Sequence, residues 1–275
     1  MIQVENISFR YPGSKHQVFT DFSLNIEGNK IYGLLGKNGT GKSTLLYLMS
    51  GLMRAGKGSI SIDGINSQER NPLLLQEIFM VPEEFELPAV SLDTYIRINE
   101  GFYPRFSREV LNSCLKDFDL PLSLHLKELS MGQKKKVLMS YALAAGTRYL
   151  FMDEPTNGLD IPSKSQFRRV VANNMGDDRT IIISTHQVHD VETLLDHILI
   201  LSENRMLLNA STADICTQYS FELRPAHEMD DSVIYAEPTL QGNAVVARRK
   251  KGEPETPLNL ELLFSAVAEK KVLAD

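Results

Sequence analysis

The run Gly36-Lys37-Asn38-Gly39-Thr40-Gly41-Lys42-Ser43, followed by Thr44, constrains this chain more than any other stretch. It matches G-x-x-x-x-G-K-[ST], and its surroundings suit the motif. Lys30 to Leu35 reads as a strand feeding the loop, and Thr44 to Leu52 as a helix leaving it, with Leu45, Leu48, Met49 and Leu52 on one side. Successive backbone N–H groups of such a loop, together with the helix N-terminus, converge on phosphate oxygens. Lys42 would neutralise the β- and γ-phosphates of a nucleotide, and Ser43 would offer its hydroxyl to magnesium. An ordinary glycine turn needs no Lys-Ser-Thr at its end.

A phosphate cradle needs an acidic partner, and Tyr149-Leu150-Phe151-Met152-Asp153-Glu154 supplies one at the end of an apolar strand. Asp153 is positioned to hold magnesium through water, and Glu154 to polarise a water for in-line attack on the γ-phosphate. Both stand at the carboxyl end of a strand, where open α/β sheets bind their ligands. An apolar strand ending in acids is common by itself; paired with the glycine loop it becomes specific.

The rest of the chain fits around these two motifs. Ile2, Val4, Ile7, Phe9 and Tyr11 alternate as a first strand with an irregularity at Glu5-Asn6, and Pro12-Gly13 turns the chain. Val18 to Ile26 and Gly58 to Asp63 read as further strands, the latter closed by Asp63-Gly64. From about residue 85 to 146 the texture becomes helical. Ser107 is an N-cap with Phe106 and Leu111 as its staple, and Val110, Leu111, Cys114, Leu115 and Phe118 share one face. Cys114 is then a small buried apolar residue. Beyond Arg148, strand Tyr149 to Met152, helix Ser163 to Asn174, strand Thr180 to Ser184, helix Val188 to Leu195 and strand His197 to Leu201 alternate, which implies a largely parallel sheet. Asn204-Arg205 turns a hairpin into Met206-Leu207-Leu208, and a short helix follows near Thr212 to Tyr219. Residues 220–275 read as a small α+β appendage without a chemical motif: strands Val233 to Ala236 and Ala244 to Arg248, then a helix carrying Leu260, Leu263, Phe264 and Val267. Its basic run, Arg248 to Lys251, reads as a solvated turn. The division expected is an ATPase-sized unit over 1–219 and the appendage over 220–275.

Composition narrows the setting. Among 275 residues, 29 Lys and Arg against 35 Asp and Glu leave a net charge of −6, which removes the basic balance of a sequence-blind nucleic-acid binder. Cys114 and Cys216 lie far apart without a CxxC companion, so neither a disulfide framework nor a zinc site is implied, and a reducing compartment is favoured. The Met-Ile-Gln-Val-Glu-Asn start lacks a secretory pattern. The most apolar segment, Val137 to Gly146, is interrupted by Ser140 and is about half the length needed to span a bilayer. The expectation is a cytoplasmic chain that reaches any membrane through a partner.

Three further segments make the sequence resemble the ATP-binding cassette (ABC) ATPases over about residues 1 to 210. Leu129-Ser130-Met131-Gly132-Gln133 is similar to the family's LSGGQ signature, with Met131 at one glycine position. Pro155-Thr156-Asn157-Gly158-Leu159-Asp160 looks like its D-loop, and Ser184-Thr185-His186 resembles its switch histidine. The resemblance implies an α/β P-loop NTPase fold with a mainly parallel core sheet, an N-terminal antiparallel β-subdomain, an inserted helical subdomain and the small C-terminal appendage. It also implies ATP and Mg2+ as cofactors. Ser130, Gly132 and Gln133 at a helix entrance, with Asp160, would face the ATP of an opposite subunit, a homodimer or a paired ATPase closing head to tail on two nucleotides. Lys134, Lys135 and Lys136 then follow as a mostly solvated basic face. His186 would bond the γ-phosphate and organise Glu154; His189 has no such support. Tyr11 is similar to the family's adenine-stacking aromatic, with core packing as the rival reading.

The Q-loop match is the one that departs most. Ile78 to Val81 and Pro82 lead to Glu83 where the family usually has Gln, and Glu84 is the rival if the register shifts. A Glu could ligate magnesium or orient water, but it loses the amide donors and adds negative charge beside a triphosphate. Glu83, the Asn-Gly-Leu-Asp D-loop and the appendage look most like the ATPases of bacterial export systems. The function so implied is ATP hydrolysis coupled to solute export through separate membrane permease subunits, docked on the segment from about Leu87 to Leu126. The alternative is a non-transport ABC ATPase acting on nucleic acid or the ribosome. Those usually carry two cassettes or coiled-coil or zinc-bearing insertions, which this sequence lacks. A regulatory subunit with little turnover is opposed by Glu154 and His186.

Overall fold

The structure, a computed structural model, describes residues 1–250 and 252–269. The chain opens with β1 (Ile2–Phe9) and β2 (Phe19–Ile26), runs through β3 (Ile31–Leu35) into α1 (Lys42–Met49), and returns in β4 (Lys57–Ile62) and β5 (Ile65–Asn66). A short α2 (Pro72–Leu75) leads to β6 (Ile78–Val81). Three helices follow: α3 (Leu92–Asn99), α4 (Arg108–Asp117) and α5 (Met131–Ala144). Then come β7 (Tyr149–Asp153), α6 (Ile161–Asn173), β8 (Thr180–Thr185), β9 (His197–Ser202), β10 (Arg205–Ser211) and α7 (Thr212–Gln218). The last elements are β11 (Tyr219–Arg224), β12 (Val233–Thr239), β13 (Gly242–Arg248) and α8 (Leu260–Ala268).

The central sheet has the order β10-β9-β3-β8-β7-β6, parallel except for the edge strand β10. Every residue of β3, β7 and β8 is buried, because layers cover both faces; hence their near-continuous apolar runs. Alternate side chains divide the core in two. Tyr149 and Phe151 point with Leu34, Leu45 and Ile182 toward the antiparallel sheet β2-β1-β4-β5, while Leu150 and Met152 point with Leu35 and Ile183 toward the helices. This is the α/β P-loop NTPase cassette expected, with its mainly parallel core, antiparallel β-subdomain and helical insertion.

Local chemistry explains most element boundaries. Ser107, Ser91, Ser130, Asp160 and Asn259 each cap a helix by accepting from a backbone N–H in its first turn. Leu111, Cys114, Leu115 and Phe118 are buried as their spacing predicts. The irregularity at Glu5-Asn6 is a break in register of β1 with both neighbours, and Asn6 has φ 48°.

Several expectations are corrected. β1 ends at Phe9, so Tyr11 lies beyond the strand. Helix α1 stops at Met49, and Leu52, after the left-handed Gly51, is exposed instead of sharing the buried face. The segment Val188 to Leu195 forms two 3₁₀ turns, not an α-helix; its apolar residues Val188, Val191 and Leu194 repeat every three positions, the period of that tighter helix. Strand β11 is an addition to the expected elements: Tyr219 to Arg224 alternates apolar and polar residues strictly, but the helix expected near Thr212 to Tyr219 overlaps its start, and the strand follows α7 without a break. It forms a three-stranded antiparallel sheet, β11-β13-β12, whose Phe221 and Val246 join α8 in the helix-side core. In the basic run, Lys251 lies outside the described residues. Arg249 is not solvated: it donates to the carbonyls of Cys216 at 3.0 Å and Glu253 at 2.7 Å.

Candidate nucleotide site

The glycine loop occupies the carboxyl end of β3 and opens α1. Gly41 has φ 99°, a conformation that costs an L side chain, and a Cβ on Gly36 would stand 2.5 Å from the carbonyl oxygen of Leu201. Thr40 Oγ1 donates to the Lys37 carbonyl at 2.9 Å and closes the turn. Lys37, Asn38 and Gly39 remain exposed at the rim. Lys42 is buried beneath them, its Nζ donating to the carbonyls of Gly36 at 2.9 Å and Lys37 at 3.2 Å. Burial pushes its pKa down, and the charges of Glu154, Asp153 and Glu83 pull it part of the way back.

Next to the loop lies the end of β7. Asp153 and Glu154 are both buried. Asp153 Oδ1 accepts from Ser43 Oγ at 3.0 Å and from Ser184 Oγ on β8. Glu154 has φ 44°, a strained conformation for a residue with a Cβ, fixed by its N–H donating to the Ser184 carbonyl at 3.0 Å. Its carboxylate is held from three sides. Thr185 Oγ1 donates to Oε2 at 3.1 Å, His186 Nδ1 lies 2.8 Å from Oε1, and Lys42 Nζ stands 3.9 Å away.

Tyr11, Lys42, Ser43, Glu83, Glu154 and His186 line one cleft of about 590 Å³, roomy enough for a small ligand. Gly39, Gly41, Thr44 and Asn157 line it as well. Tyr11 is not a core residue: its hydroxyl pairs with Thr44 Oγ1 at 2.8 Å, and its ring stands edge-on to Phe9. Glu83 reaches the cleft, whereas Glu84 is exposed and lines only a neighbouring hollow with Met131 and Lys135. Ser43 Oγ and the Asp153 carboxylate, hard oxygens meeting on one spot at the loop's mouth, form a donor set that suits Mg2+. That ion keeps several waters and takes only one or two protein oxygens.

Four expected site residues stand apart from the cleft. Ser130 caps α5 in a reciprocal box, its Oγ accepting from Gln133 N and its N–H donating to Gln133 Oε1 at 3.0 Å. Gly132 follows in the first turn, and Met131 beside it is 57% exposed. Asp160 is exposed and caps α6, accepting from Ser163 N at 2.9 Å; the Ser163 hydroxyl first, and then this backbone bond, hold its carboxyl below the ordinary range.

The lysine triplet is the largest local surprise. Lys135 is only 6% exposed, and its Nζ donates to the carbonyls of Asn157 at 2.8 Å and Glu154 at 3.3 Å. Lys136 is partly buried and bonds Gln166 Oε1 at 2.9 Å. The expected solvated face is therefore wrong for both. The signal was available: Leu138, Met139 and Ala142, at three, four and seven residues from Lys135, are all buried, so Lys135 begins the inward face.

Comparison with known proteins identifies the family. The model of the family described as ABC transporter matches residues 19–157. The ABC transporter ATP-binding protein YtrB of Bacillus subtilis is 30% identical over 234 residues, covering 84% of this chain and 78% of that protein. The methionine import ATP-binding protein MetN 1 of Oceanobacillus iheyensis is 34% identical over 233 residues, 78% of this chain and 68% of that one. A solved ATP-binding subunit of an ABC transporter superposes with a TM-score of 0.70 at 26% identity, covering 78% of this chain and 91% of the other. A cleft that gathers a phosphate loop, an acidic strand end and a histidine at the carboxyl ends of neighbouring strands, and a family model spanning the loop and the acidic strand, lead to one conclusion: the chain belongs to the ABC transporter family, as one of its ATP-binding ATPase cassettes.

Proposed function

We propose that this chain is the Mg-ATP-hydrolysing subunit of a transporter whose membrane-crossing part is a separate permease, and that it works at the inner face of the cell membrane. Among the described residues no helix is long and apolar enough to cross a membrane. The observation that carries the reading is the meeting of Lys42, Ser43, Asp153, Glu154 and His186 around one cleft. ATP would lie with its base against Tyr11 and its phosphates under the N–H groups of residues 36–44. Lys42, now bonded to its own loop, would turn to the phosphates. Ser43 and Asp153, with Glu83 nearby, would hold Mg2+, which supplies charge neutralisation at the β- and γ-phosphates. Glu154 would take the proton of the attacking water, and His186, hydrogen-bonded to Glu154, would orient both base and γ-phosphate.

Ser130, Gly132, Gln133 and Asp160 have no part in this cleft, yet the α5 N-terminus is an exposed set of anion-binding N–H groups. Two chains closing head to tail would bring that terminus onto the partner's ATP. ATP would stabilise the closed pair because it contacts both halves. For the permease, the best-suited surface is an apolar groove of about 600 Å³ beside the Glu83 loop, lined by Leu52, Leu75, Phe79, Met80, Phe102 and Tyr103. Gly101, Phe102 and Tyr103 belong to the expected 87–126 segment; the rest of the lining comes from the end of α1 and, mostly, from Arg70 to Pro82 around α2 and β6. Export is the direction we propose, on the strength of Glu83, the Asn157-Gly158-Leu159-Asp160 turn and the appendage.

Two experiments test this. Lys42→Ala should weaken ATP binding at least tenfold in a fluorescence titration; unchanged affinity contradicts the phosphate assignment. Purification from native membranes should recover a membrane protein with this chain, and inside-out vesicles of the pair should accumulate solute on ATP addition. Recovery of ribosomes or DNA instead would favour the non-transport reading.

A further inference from the structure

Glu83 puts a carboxylate where a triphosphate is to bind, and the chain must keep that group in a defined place. One chain of bonds does so. Asn157 Nδ2 donates to Glu83 Oε1 at 2.8 Å, and the Asn157 carbonyl accepts from Lys135 Nζ at 2.8 Å. The same ammonium reaches the Glu154 carbonyl at 3.3 Å. Lys135 is thus a buried cation whose hydrogen bonds go to the main chain of one turn, Glu154 to Asn157. That turn carries the base at one end and the anchor of Glu83 at the other. Its charge also offsets the negative cluster of Glu83, Glu154 and Asp153 without touching any of the three carboxylates. A lysine costs free energy to bury, so its place here needs these partners.

We propose that Lys135 is a positioning residue for hydrolysis: from the signature helix it fixes the Glu154–Asn157 turn and, through Asn157, aims the Glu83 carboxylate into the nucleotide cleft. The inference rests on the ATPase reading of that cleft. It makes α5 and the Glu83 loop mechanically continuous, so a partner's phosphate arriving at Ser130 and a permease arriving beside Pro82 act on one rigid connection.

The test measures steady-state hydrolysis and ATP affinity in three variants. Lys135→Met fills the same space without donors and should lower kcat about tenfold or more while KM for Mg-ATP moves less than about threefold. Lys135→Arg, which keeps a cation and donors for the same carbonyls, should recover most of that loss. Asn157→Ala leaves both Lys135 bonds in place and cuts only the link to Glu83. It should lower kcat severalfold in the natural chain and change it less than twofold in a Glu83→Ala background, and it serves if Lys135→Met does not fold. The proposal is overturned if Lys135→Met turns over like wild type, if the loss is in KM alone, or if Asn157→Ala is equally damaging with Glu83 removed. Failure of the underlying site reading looks different: Lys42→Ala would then bind ATP normally, whatever Lys135 does.

Discussion

Replacing Glu154 by Gln separates binding from turnover, because the geometry assigns the two to different atoms. Gln has the same shape, and its carbonyl oxygen can still accept from Thr185 Oγ1, which donates to Glu154 at 3.1 Å. The strained backbone at φ 44° is untouched, so folding should change by less than about 1 kcal/mol. What is lost is the basic carboxylate. A positioned general base contributes about 10²–10⁴-fold, or roughly 3–5 kcal/mol of barrier, so phosphate release should fall by at least a hundredfold. Binding should move the other way. Lys42 Nζ lies 3.9 Å from Glu154 Oε1 with both side chains buried, an attraction of about 4 kcal/mol at an effective dielectric near 20, before desolvation is counted. Removing the charge frees Lys42 for the phosphates, so ATP affinity should equal or exceed that of the natural chain. With ATP and Mg2+ the variant should then elute as a dimer in size-exclusion chromatography. Hydrolysis within about threefold of wild type would refute the base assignment, and loss of ATP binding would refute the charge argument.

Two other perturbations probe surfaces far from the chemistry. Phe102, 68% exposed in the apolar groove, carries little of the fold's stability; Phe102→Asp should leave basal hydrolysis within twofold and abolish co-purification with the proposed permease, and wild-type recovery would refute this groove as its docking surface. Burial pushes the Cys114 thiol up to about 12, so at pH 8 iodoacetamide should modify the half-buried Cys216 first and Cys114 only after unfolding. Equal labelling of both in the native protein would contradict the packing of α4.

The candidate site was legible to the extent that its residues are contiguous in sequence. Gly36 to Thr44 form a cradle by local backbone conformation alone, and Asp153 and Glu154 follow from an apolar strand whose carboxyl end must leave the buried sheet. Ser107 and Ser130 announce their helices through hydrogen bonds spanning three residues. Legibility fails where the partner is distant. Nothing near Lys135 in sequence tells that its ammonium meets the carbonyl of Asn157, 22 residues on. Tyr11 could have been core or cleft until the loop stood beside it. Glu83 was the expected Q-loop residue, but Glu84 stayed its rival until the loop's register turned Glu83 inward.

By itself, then, the sequence determined the class of fold, the phosphate loop, the acidic strand end and the order of most elements, β11 and the 3₁₀ turns after β8 excepted, since these depend on hydrophobic period and on short-range hydrogen bonding. Tertiary structure decided what the buried charges meet, which carboxylate enters the cleft, and how β11, β13 and α8 pack into the same core as the helices. The reason is physical: periodicity reports which side of an element faces inward, but the electrostatic role of a side chain depends on what the rest of the chain brings within about 4 Å of it.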